Sequence, residues 1–429
     1  MSEAAAMPAA TASGHKAQTD WKSAAMRKRV ARRYAAEKRF KAVGLMAIVL
    51  SSLFLAFLLF VMVSNGAKGF QRTEIALPID FVTLSGGASP ESLKGNGQDA
   101  TLASLDIRGI TSAAIESNYG EEGRKIFARN AWVEVREQLR DDPELITQNA
   151  TLWLSATSAF DRINKGDSNA ELQPIFEKVD SDGNVRSVFN LPFLTNSDGV
   201  DPALVGIWGA LKGSLMTMFV TLLLAFPIGV LSAVYLEEYA PQNRWTDLIE
   251  VSINNLAAVP SIIFGLLGLV VFLTWMDLPR SSALVGGLTL ALMTFPVIVI
   301  AARNAVKAVP PSIREAALGI GASKVQVIFH HVLPLAIPGI MTGTIIGMAR
   351  ALGETAPLLM IGMRAFTATP PGNLSDPSTV LPVQIFLWSD EVNSGFVEKT
   401  SAAIIILLLF LLTMNAVAIW LRNRFETRW

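Results

Sequence analysis

Two residue types that often build functional sites are absent or rare in this chain. Its 429 residues include no cysteine, so disulfides and thiolate metal sites are excluded. The three histidines, His15, His330 and His331, lie outside any cluster of carboxylates. We therefore predict that the chain holds no metal ion.

A phosphate-binding loop is also missing. The pattern G-x-x-x-x-G-K-[ST], whose backbone amides cradle nucleotide phosphates, occurs nowhere in the sequence. The stretch that begins at Gly321, Gly-Ala-Ser-Lys, lacks the pattern. The chain therefore has no such loop with which to bind ATP.

Charge is scarce and unevenly placed. Only 17% of the residues are charged and 51% are hydrophobic, which is too apolar for a soluble protein of this size. Residues 1–41 hold ten Lys/Arg against three Asp/Glu, residues 64–204 hold 13 against 21, and residues 205–429 hold 13 against 12. A basic arm, an acidic region and a neutral apolar half follow one another, and we predict no nucleic-acid partner.

The first apolar run, Val43 to Val63, follows directly on the basic arm. Its 21 uncharged residues would extend about 30 Å as a helix, enough to cross the hydrocarbon core. We predict a cytoplasmic arm over 1–41, disordered in part, and a first transmembrane helix over 42–63. A cleaved signal peptide is the alternative, but the arm is long and no A-x-A site follows.

Residues 64–204 lack a long apolar run and are predicted to form an α+β domain in the periplasm. A helical stretch is expected near 121–140. Its carboxylates alternate with arginines and lysines, so we interpret them as a solvated helix face rather than an acid/base site; they are Glu121, Glu122, Glu134 and Glu137.

Five further apolar segments lie near 213–236, 250–275, 282–302, 332–363 and 401–421. With the first helix they predict six transmembrane helices, with a helix start at Asp201-Pro202. Both termini would then lie in the cytoplasm, and the inside loops carry the excess of Lys/Arg that this orientation requires. The second half, 205–425, forms one membrane domain in this scheme.

A polar loop, 310–334, separates two of these segments. Pro310 and Pro311 stop the incoming helix, and Ser312 with Glu315 has the spacing of a capping box that starts a short helix. Small side chains at Ala316 and Ala317 would let that helix sit close in a groove of a partner. Gly321 permits a sharp bend into the next helix.

The same loop has the pattern Glu-Ala-Ala, three residues, Gly, nine residues, one aliphatic position, one residue, Leu-Pro. Glu315, Ala316, Ala317, Gly321 and Leu333-Pro334 occupy these places, and His331 replaces the aliphatic residue. This spacing resembles the loop by which membrane subunits of ABC importers bind their ATPase. The resemblance implies an all-α polytopic protein with the type I ABC importer permease fold.

Three other stretches resemble the PstA family of phosphate importer permeases. They are Val234-Tyr-Leu-Glu-Glu-Tyr-Ala-Pro, Ala258-Val-Pro-Ser-Ile-Ile-Phe-Gly-Leu-Leu-Gly and Arg350-Ala-Leu-Gly-Glu-Thr-Ala-Pro. The long arm, first helix and inserted domain resemble the N-terminal extension of proteobacterial members.

The resemblance implies a transport subunit rather than an enzyme, in the bacterial inner membrane. The implied partners are a second, PstC-like permease, a PstB-like ATPase dimer that binds ATP and Mg²⁺, and a PstS-like periplasmic phosphate-binding protein. The coupling loop would be carried by Ser312, Glu315, Ala316, Ala317 and Gly321.

Ionisable residues inside an apolar segment mark a second candidate site. Arg350 and Glu354 are four residues apart, so a helix places them on one face, and Thr355 follows. They could line the path of an oxyanion, or they could form a structural ion pair. Gly353 and Pro357 predict a break in the helix here. Asn254 and Asn255 are further pore candidates, with bonding between helices as the alternative.

Other functions remain open at this point. An ABC permease for molybdate or sulfate would share the same coupling loop. A membrane sensor would bind a ligand in 64–204 and signal through the loop without an ATPase. A secondary transporter is disfavoured because no internal repeat is evident.

Overall fold

The computed structural model describes residues 23–84, 90–94, 98–363 and 366–425. It separates into two compact units, 1–61 and 62–429. The described part of the first unit belongs to helix α1 (Ala24–Gly69), which has 46 residues. A bilayer span needs about 20 residues, so the helix includes the basic segment 27–41 as well as the predicted span. Residues 1–20, predicted to be disordered, lie outside the described residues.

A small antiparallel sheet organises residues 71–205, which we call the sheet region. Its strands are β1 (Gln71–Asp80), β2 (Asn149–Ser155) and β3 (Val185–Phe189), in the order β2-β1-β3. β1 pairs with both of the other strands. Its residues from Thr73 to Leu77 are all buried, so neither face of the strand is exposed over this stretch. Leu77 pairs with Leu152, which sets the register against β2.

Short helices cover this sheet. They are α2 (Phe81–Leu84), α3 (Gln98–Ser104), α4 (Ile107–Tyr119), α5 (Gly123–Ile126), α6 (Ala131–Asp141), α7 (Ser158–Asn164), α8 (Gln173–Ser181) and α9 (Leu191–Thr195). Single 3₁₀ turns occur at Pro90–Leu93, Gly120–Glu122 and Pro143–Thr147. The apolar core between sheet and helices includes Ile75, Phe81, Leu139, Leu154 and Phe160.

One expectation for this region is wrong. Glu134 does not lie on a solvated face: it is 9% exposed and accepts hydrogen bonds from Arg72 Nη1 at 2.9 Å and from the Ser155 amide at 2.7 Å. Burial raises the pKa of the Glu134 carboxyl, and the charge of Arg72 opposes that rise. The predicted helix over 121–140 is also broken, because Phe127 forms a β-bridge with Ala156.

Helices dominate residues 208–425, the helical region. They are α10 (Trp208–Val234), α11 (Arg244–Ala257), α12 (Ser261–Gly268), α13 (Ala283–Lys307), α14 (Pro311–Gly319), α15 (Lys324–Val327), α16 (Leu333–Gly353), α17 (Ala356–Met360), α18 (Leu381–Ser389) and α19 (Gly395–Phe425). π-helical turns continue three of them, at Tyr235–Tyr239, Leu269–Trp275 and Ile328–Val332.

The apolar segments form helices long enough to cross a membrane. In the described residues five helices meet this test: Met26–Gly69, Trp208–Tyr239, Ala283–Lys307, Lys324–Gly353 and Gly395–Arg424. A sixth would be the pair Arg244–Ala257 and Ser261–Trp275, which is bent by 101°. Each lies where the sequence predicted a transmembrane helix, but the second apolar segment of the helical region is sharply broken.

The predicted helix start at Asp201-Pro202 is wrong. Asp201 begins a turn, in which its carboxylate accepts a hydrogen bond from the Ala203 amide at 3.1 Å and its carbonyl accepts one from Leu204. Helix α10 begins only at Trp208. Asp and Pro open turns as readily as helices, so the dipeptide does not discriminate between them.

A polar junction joins the sheet region to α19. Lys165 Nζ donates to Asp161 at 2.5 Å, to Glu398 at 2.9 Å and to the carbonyl of Gln71 at 2.9 Å. Its side chain is only 6% exposed, so these bonds satisfy a buried ammonium. The first turn of α19 is therefore fixed to α7 and to the start of β1.

Candidate functional site

The predicted coupling loop is a short helix followed by a tight turn. Helix α13 ends at Lys307, and α14 runs from Pro311 to Gly319. Gly321 has φ +91°, a conformation that glycine adopts without strain, and it reverses the chain into α15. The bend predicted at Gly321 is therefore present.

The capping box predicted for Ser312 and Glu315 does not form at the start of α14. Pro310 occupies the N-cap of α14 and Pro311 its first position, so Ser312 already lies in the first turn and makes no capping bond. A capping box does occur one helix later. The Ser323 amide donates to Gln326 Oε1 at 2.8 Å, and the Gln326 amide donates to Ser323 Oγ at 3.4 Å. The two prolines moved the helix start, because proline fits the first helical turn.

Arg314 fixes helix α14 to the rest of the helical region. Its Nε and Nη2 donate to Glu238 Oε1 at 3.0 and 2.8 Å. Its Nη1 donates to the carbonyl of Val309 at 2.6 Å and its Nη2 to that of Val306 at 2.9 Å. These carbonyls lie at and beyond the C-terminal end of α13, where helical carbonyls lack partners of their own.

The turn Tyr235–Tyr239 gathers these contacts. Besides Glu238, it supplies Glu237, which accepts a hydrogen bond from Arg303 at 3.4 Å, and Tyr239, whose ring lies 4.8 Å from Lys324 Nζ. Arg303 also pairs with Glu250 of α11 at 2.9 Å. The turn at the end of α10 thus contacts α13, α14 and α15, and Arg303 in turn links α13 to α11.

Sequence reasoning missed Glu237, Glu238, Arg303 and Arg314 as site residues. The signal was available, since Glu237 and Glu238 are adjacent acids at the end of an apolar run and Arg314 directly precedes the Glu-Ala-Ala motif. Their pairing depends on which helices are neighbours in space.

The opposite side of the loop is exposed and partly apolar. Ala317 is 5% exposed and packs into the core of the helical region, whereas Ser312, Glu315 and Ala316 are exposed. Leu318 and Ile320 are 52% and 84% exposed. Apolar side chains grouped at a helix end in this way are typical of a surface that binds another protein.

The second candidate site lies at the break between α16 and α17. Arg350 Nε lies 3.5 Å from Glu354 Oε1, so the predicted pair forms, and the predicted break after Gly353 is present. Glu354, however, has extended backbone and lies beyond the helix end. The two side chains meet across a helix terminus instead of along one helix face. Thr355 is the N-cap residue of α17 and is half-buried.

The chain beyond this break packs closely against α12. A Cβ added at Gly265 of α12 would lie 2.7 Å from Pro357 Cα, so only glycine allows α17 to lie so near α12. The motif stretches that contain Gly265 and Pro357 therefore meet in space. Asn254 and Asn255 lie exposed on α11, and their role stays a prediction.

Sequence comparison places these features among transport proteins. Residues 225–429 match the family described as "Binding-protein-dependent transport system inner membrane component". The chain is 32% identical over 255 residues to the "Probable ABC transporter permease protein YqgI" of Bacillus subtilis, covering 55% of this chain and 84% of that protein. It is 32% identical to the "Phosphate transport system permease protein PstA" of Haemophilus influenzae, covering 49% of this chain and 73% of that protein.

The chain belongs to the PstA-like family of ABC transporter permeases.

A Mycobacterium tuberculosis member of this family, "Phosphate transport system permease protein PstA 1", is 33% identical over 227 residues, covering 51% of this chain and 70% of that protein. The N-terminal part matches a different model, a domain of unknown function, over residues 27–174. Among solved structures, an inward-facing methionine ABC transporter, MetNI, aligns with 17% identity and a TM-score of 0.42, over 52% of this chain and 98% of that chain.

As a PstA-like permease, the chain is a transport component of the inner membrane and crosses it several times. The helical region is made of apolar helices and contains most of the segment that matches the transport family. It works with other permease components of an ABC importer.

Proposed function

We propose that this chain is the permease subunit of an ATP-driven phosphate importer. Its PstA relatives are named phosphate transport system permeases, and the chain spans 70% or more of those reported above. In this proposal it forms the translocation path with a second, PstC-like permease. A PstS-like binding protein delivers phosphate, and a PstB-like ATPase dimer binds ATP and Mg²⁺ and hydrolyses the ATP.

The exposed face of the coupling loop is the observation that carries this proposal. Glu315, Leu318 and Ile320 project from a helix that Arg314 holds in place from behind. A loop that couples ATP hydrolysis to transport must be fixed to the transmembrane helices, since a detached α14 would move without moving them. The hydrogen bonds of Arg314 join α14 to the ends of α10 and α13, so a displacement of the loop would move two transmembrane helices together.

The proposed orientation puts both termini and loop 310–334 in the cytoplasm. The sheet region, within the predicted segment 64–204, then lies in the periplasm. The excess of Lys/Arg in residues 1–41 supports this orientation. The ATPase would approach the same side of the membrane as the basic segment of α1.

Arg350, Glu354 and Thr355 are the proposed lining of the path. The Arg350 side chain is 48% exposed although its helix is apolar, so it faces away from the helices of this chain. An ionisable side chain in that position is costly in lipid, and we place it toward the second permease or a water-filled path. A guanidinium there offers paired donors to an oxyanion.

Coupling is tested by removing the exposed apolar surface of the loop. The variant Ile320→Ser should reduce co-purification of the ATPase and uptake of labelled phosphate, while insertion into the membrane stays normal. Val392→Ser is the matched control, because Val392 is 99% exposed and lies between α18 and α19, away from the loop. Normal co-purification and uptake in Ile320→Ser would contradict the proposal.

The transported ion is tested by competition. Uptake of labelled phosphate by the assembled importer should fall with unlabelled phosphate and persist with equal concentrations of molybdate or sulfate. Stronger competition by either of those ions would assign the chain to an importer of that oxyanion.

A further inference from the structure

A cavity in the sheet region is rich in arginine. It has a volume of about 540 Å³ and lies between α4, the α5–α6 segment and the turn at Asp201. Three arginines line it: Arg108, Arg124 and Arg129. Pockets that bind small organic molecules have volumes of about 300–1,000 Å³. The cavity therefore has room for a ligand larger than a bare ion.

The arginines of this cavity are largely free of internal partners. Among the described residues neither Arg108 nor Arg129 forms an ion pair, and Arg124 reaches Glu116 only at 3.7 Å with both side chains exposed. Asp201 is the one carboxylate among the residues described as lining the cavity. It accepts a hydrogen bond from the Ala203 amide of its own turn. The cavity thus carries an excess of positive charge.

The backbone around the cavity adds to this potential. Arg108 is in the first turn of α4, whose N-cap Asp106 accepts from the Gly109 amide at 2.9 Å. Asn130 is the N-cap of α6, an 11-residue helix, and its side chain makes no capping bond. The first turn of α6 lines the cavity, and its positive helix-terminal potential is offset in part by the buried carboxylate of Glu134 in the same turn.

An apolar wall completes the cavity. Trp132 is half-buried at its edge, and Val200 lies exposed on the facing turn. Arginine forks recognise phosphate oxygens by paired, charge-assisted bonds, and an aromatic ring can contact the carbon body of the same ligand. A bare phosphate would use the first feature and not the second.

We propose that this cavity binds a ligand with a phosphate group on a small organic body, held by Arg108, Arg124 and Arg129 and packed on Trp132. The site is separate from Arg350 and from the coupling loop. The phosphate could belong to a soluble phosphomonoester or to a lipid headgroup, and the two sources share the same recognition chemistry.

Binding is tested on the full-length chain in phosphatidylcholine nanodiscs, with glycerol 3-phosphate titrated at constant ionic strength. The double variant Arg108→Gln/Arg129→Gln should weaken the Kd at least about tenfold, the effect of losing one charge-assisted hydrogen bond or more. The matched control, Arg140→Gln/Lys178→Gln, removes two charges from the same region outside the cavity and should bind like the wild type.

Two further variants separate binding geometry from folding and from general charge. Arg108→Lys/Arg129→Lys retains the charge without the fork and should bind with intermediate affinity. Trp132→Leu should weaken glycerol 3-phosphate more than inorganic phosphate. No saturable binding of glycerol 3-phosphate or of headgroup, or equal weakening in the control double variant, would overturn the proposal.

The source of the phosphate is decided by lipid composition. In phosphatidylglycerol nanodiscs a headgroup that occupies the cavity competes, so the wild type binds glycerol 3-phosphate more weakly than in phosphatidylcholine. At an ionic strength high enough to screen the negative surface of phosphatidylglycerol, a soluble ligand predicts the same affinity in both. Transport is not measured in either arm, so failure here leaves the proposed import function standing and its own test unaffected.

Discussion

The contact between Arg314 and Glu238 predicts how strongly helix α14 is held against the rest of the helical region. Arg314 donates two hydrogen bonds to Glu238 and two to backbone carbonyls, and the side chains are 22% and 10% exposed. Breaking a buried charged pair by removing one partner costs about 3–5 kcal/mol. Because this pair is partly exposed, we expect Arg314→Ala to cost about 3 kcal/mol locally.

That cost has a measurable consequence for helix α14. A change of about 3 kcal/mol changes the equilibrium constant between α14 bound to Glu238 and α14 detached from it by about a hundredfold. The amides at 315–320 should therefore exchange with deuterium about a hundredfold faster in Arg314→Ala, provided that they exchange when the helix detaches. Arg314→Lys retains the charge without the planar fork and should lie between Arg314→Ala and the wild type.

Hydrogen exchange with mass spectrometry measures this on the purified chain, without any partner. Arg244→Ala is the matched control, because Arg244 is exposed at the start of α11 and forms no ion pair among the described residues. Its exchange at 315–320 should equal that of the wild type. Unchanged exchange in Arg314→Ala would refute the conclusion that Arg314 seats the coupling helix.

Three further predictions concern the path, the topology and pH. The swap Arg350→Glu with Glu354→Arg should restore assembly but not phosphate uptake, because it moves the guanidinium past the helix end. On this cysteine-free background, single cysteines at residues 130 and 320 should react with impermeant reagents from outside and inside, respectively. Burial raises the pKa of Glu134 in the folded protein. Its contribution to the free energy of unfolding is therefore fully present below the ordinary pKa of a glutamate and is lost as pH rises through the raised pKa. Thermal unfolding should show that loss of stability, and Glu134→Gln should reduce the slope.

Each of these has an outcome that contradicts it. Substantial uptake by the swapped protein would make Arg350 a packing residue. Labelling of residue 320 only from outside would reverse the proposed orientation. A pH dependence of unfolding that is identical in Glu134→Gln and the wild type would remove Glu134 as its source.

The sequence by itself determined where the chain can cross a membrane. Long uncharged runs have no alternative to helices in lipid, where every backbone amide needs an internal partner. It also determined the position of the loop at Gly321 and the break after Gly353, because glycine and proline act on the backbone locally. The family resemblance was recognisable for the same reason, since its motifs lie in these short stretches.

Some short sequence patterns fit two local conformations, and the sequence alone did not determine which of the two forms. Asp201-Pro202 fits both a turn and a helix start, and Ser312 fits a capping box only if the helix begins after it. Glu134 has the spacing of a solvated face, yet the neighbouring strands bury it beside Arg72. In each case tertiary contacts or an adjacent proline selected one of two conformations of similar local energy.

Only the tertiary structure decided which charges meet. Glu238 and Arg314 are 76 residues apart, and Glu237 and Arg303 are 66 apart. The arginines of the cavity likewise come from separate places in the chain, since Arg108 lies in α4, Arg124 in α5 and Arg129 in the turn before α6. Spacing along the chain carries no information about such pairs, because their distance is set by the packing of α10 on α13 and of α4 beside α6. The physical reason is that hydrophobic packing chooses the neighbours, and charges then act across the distances that packing leaves.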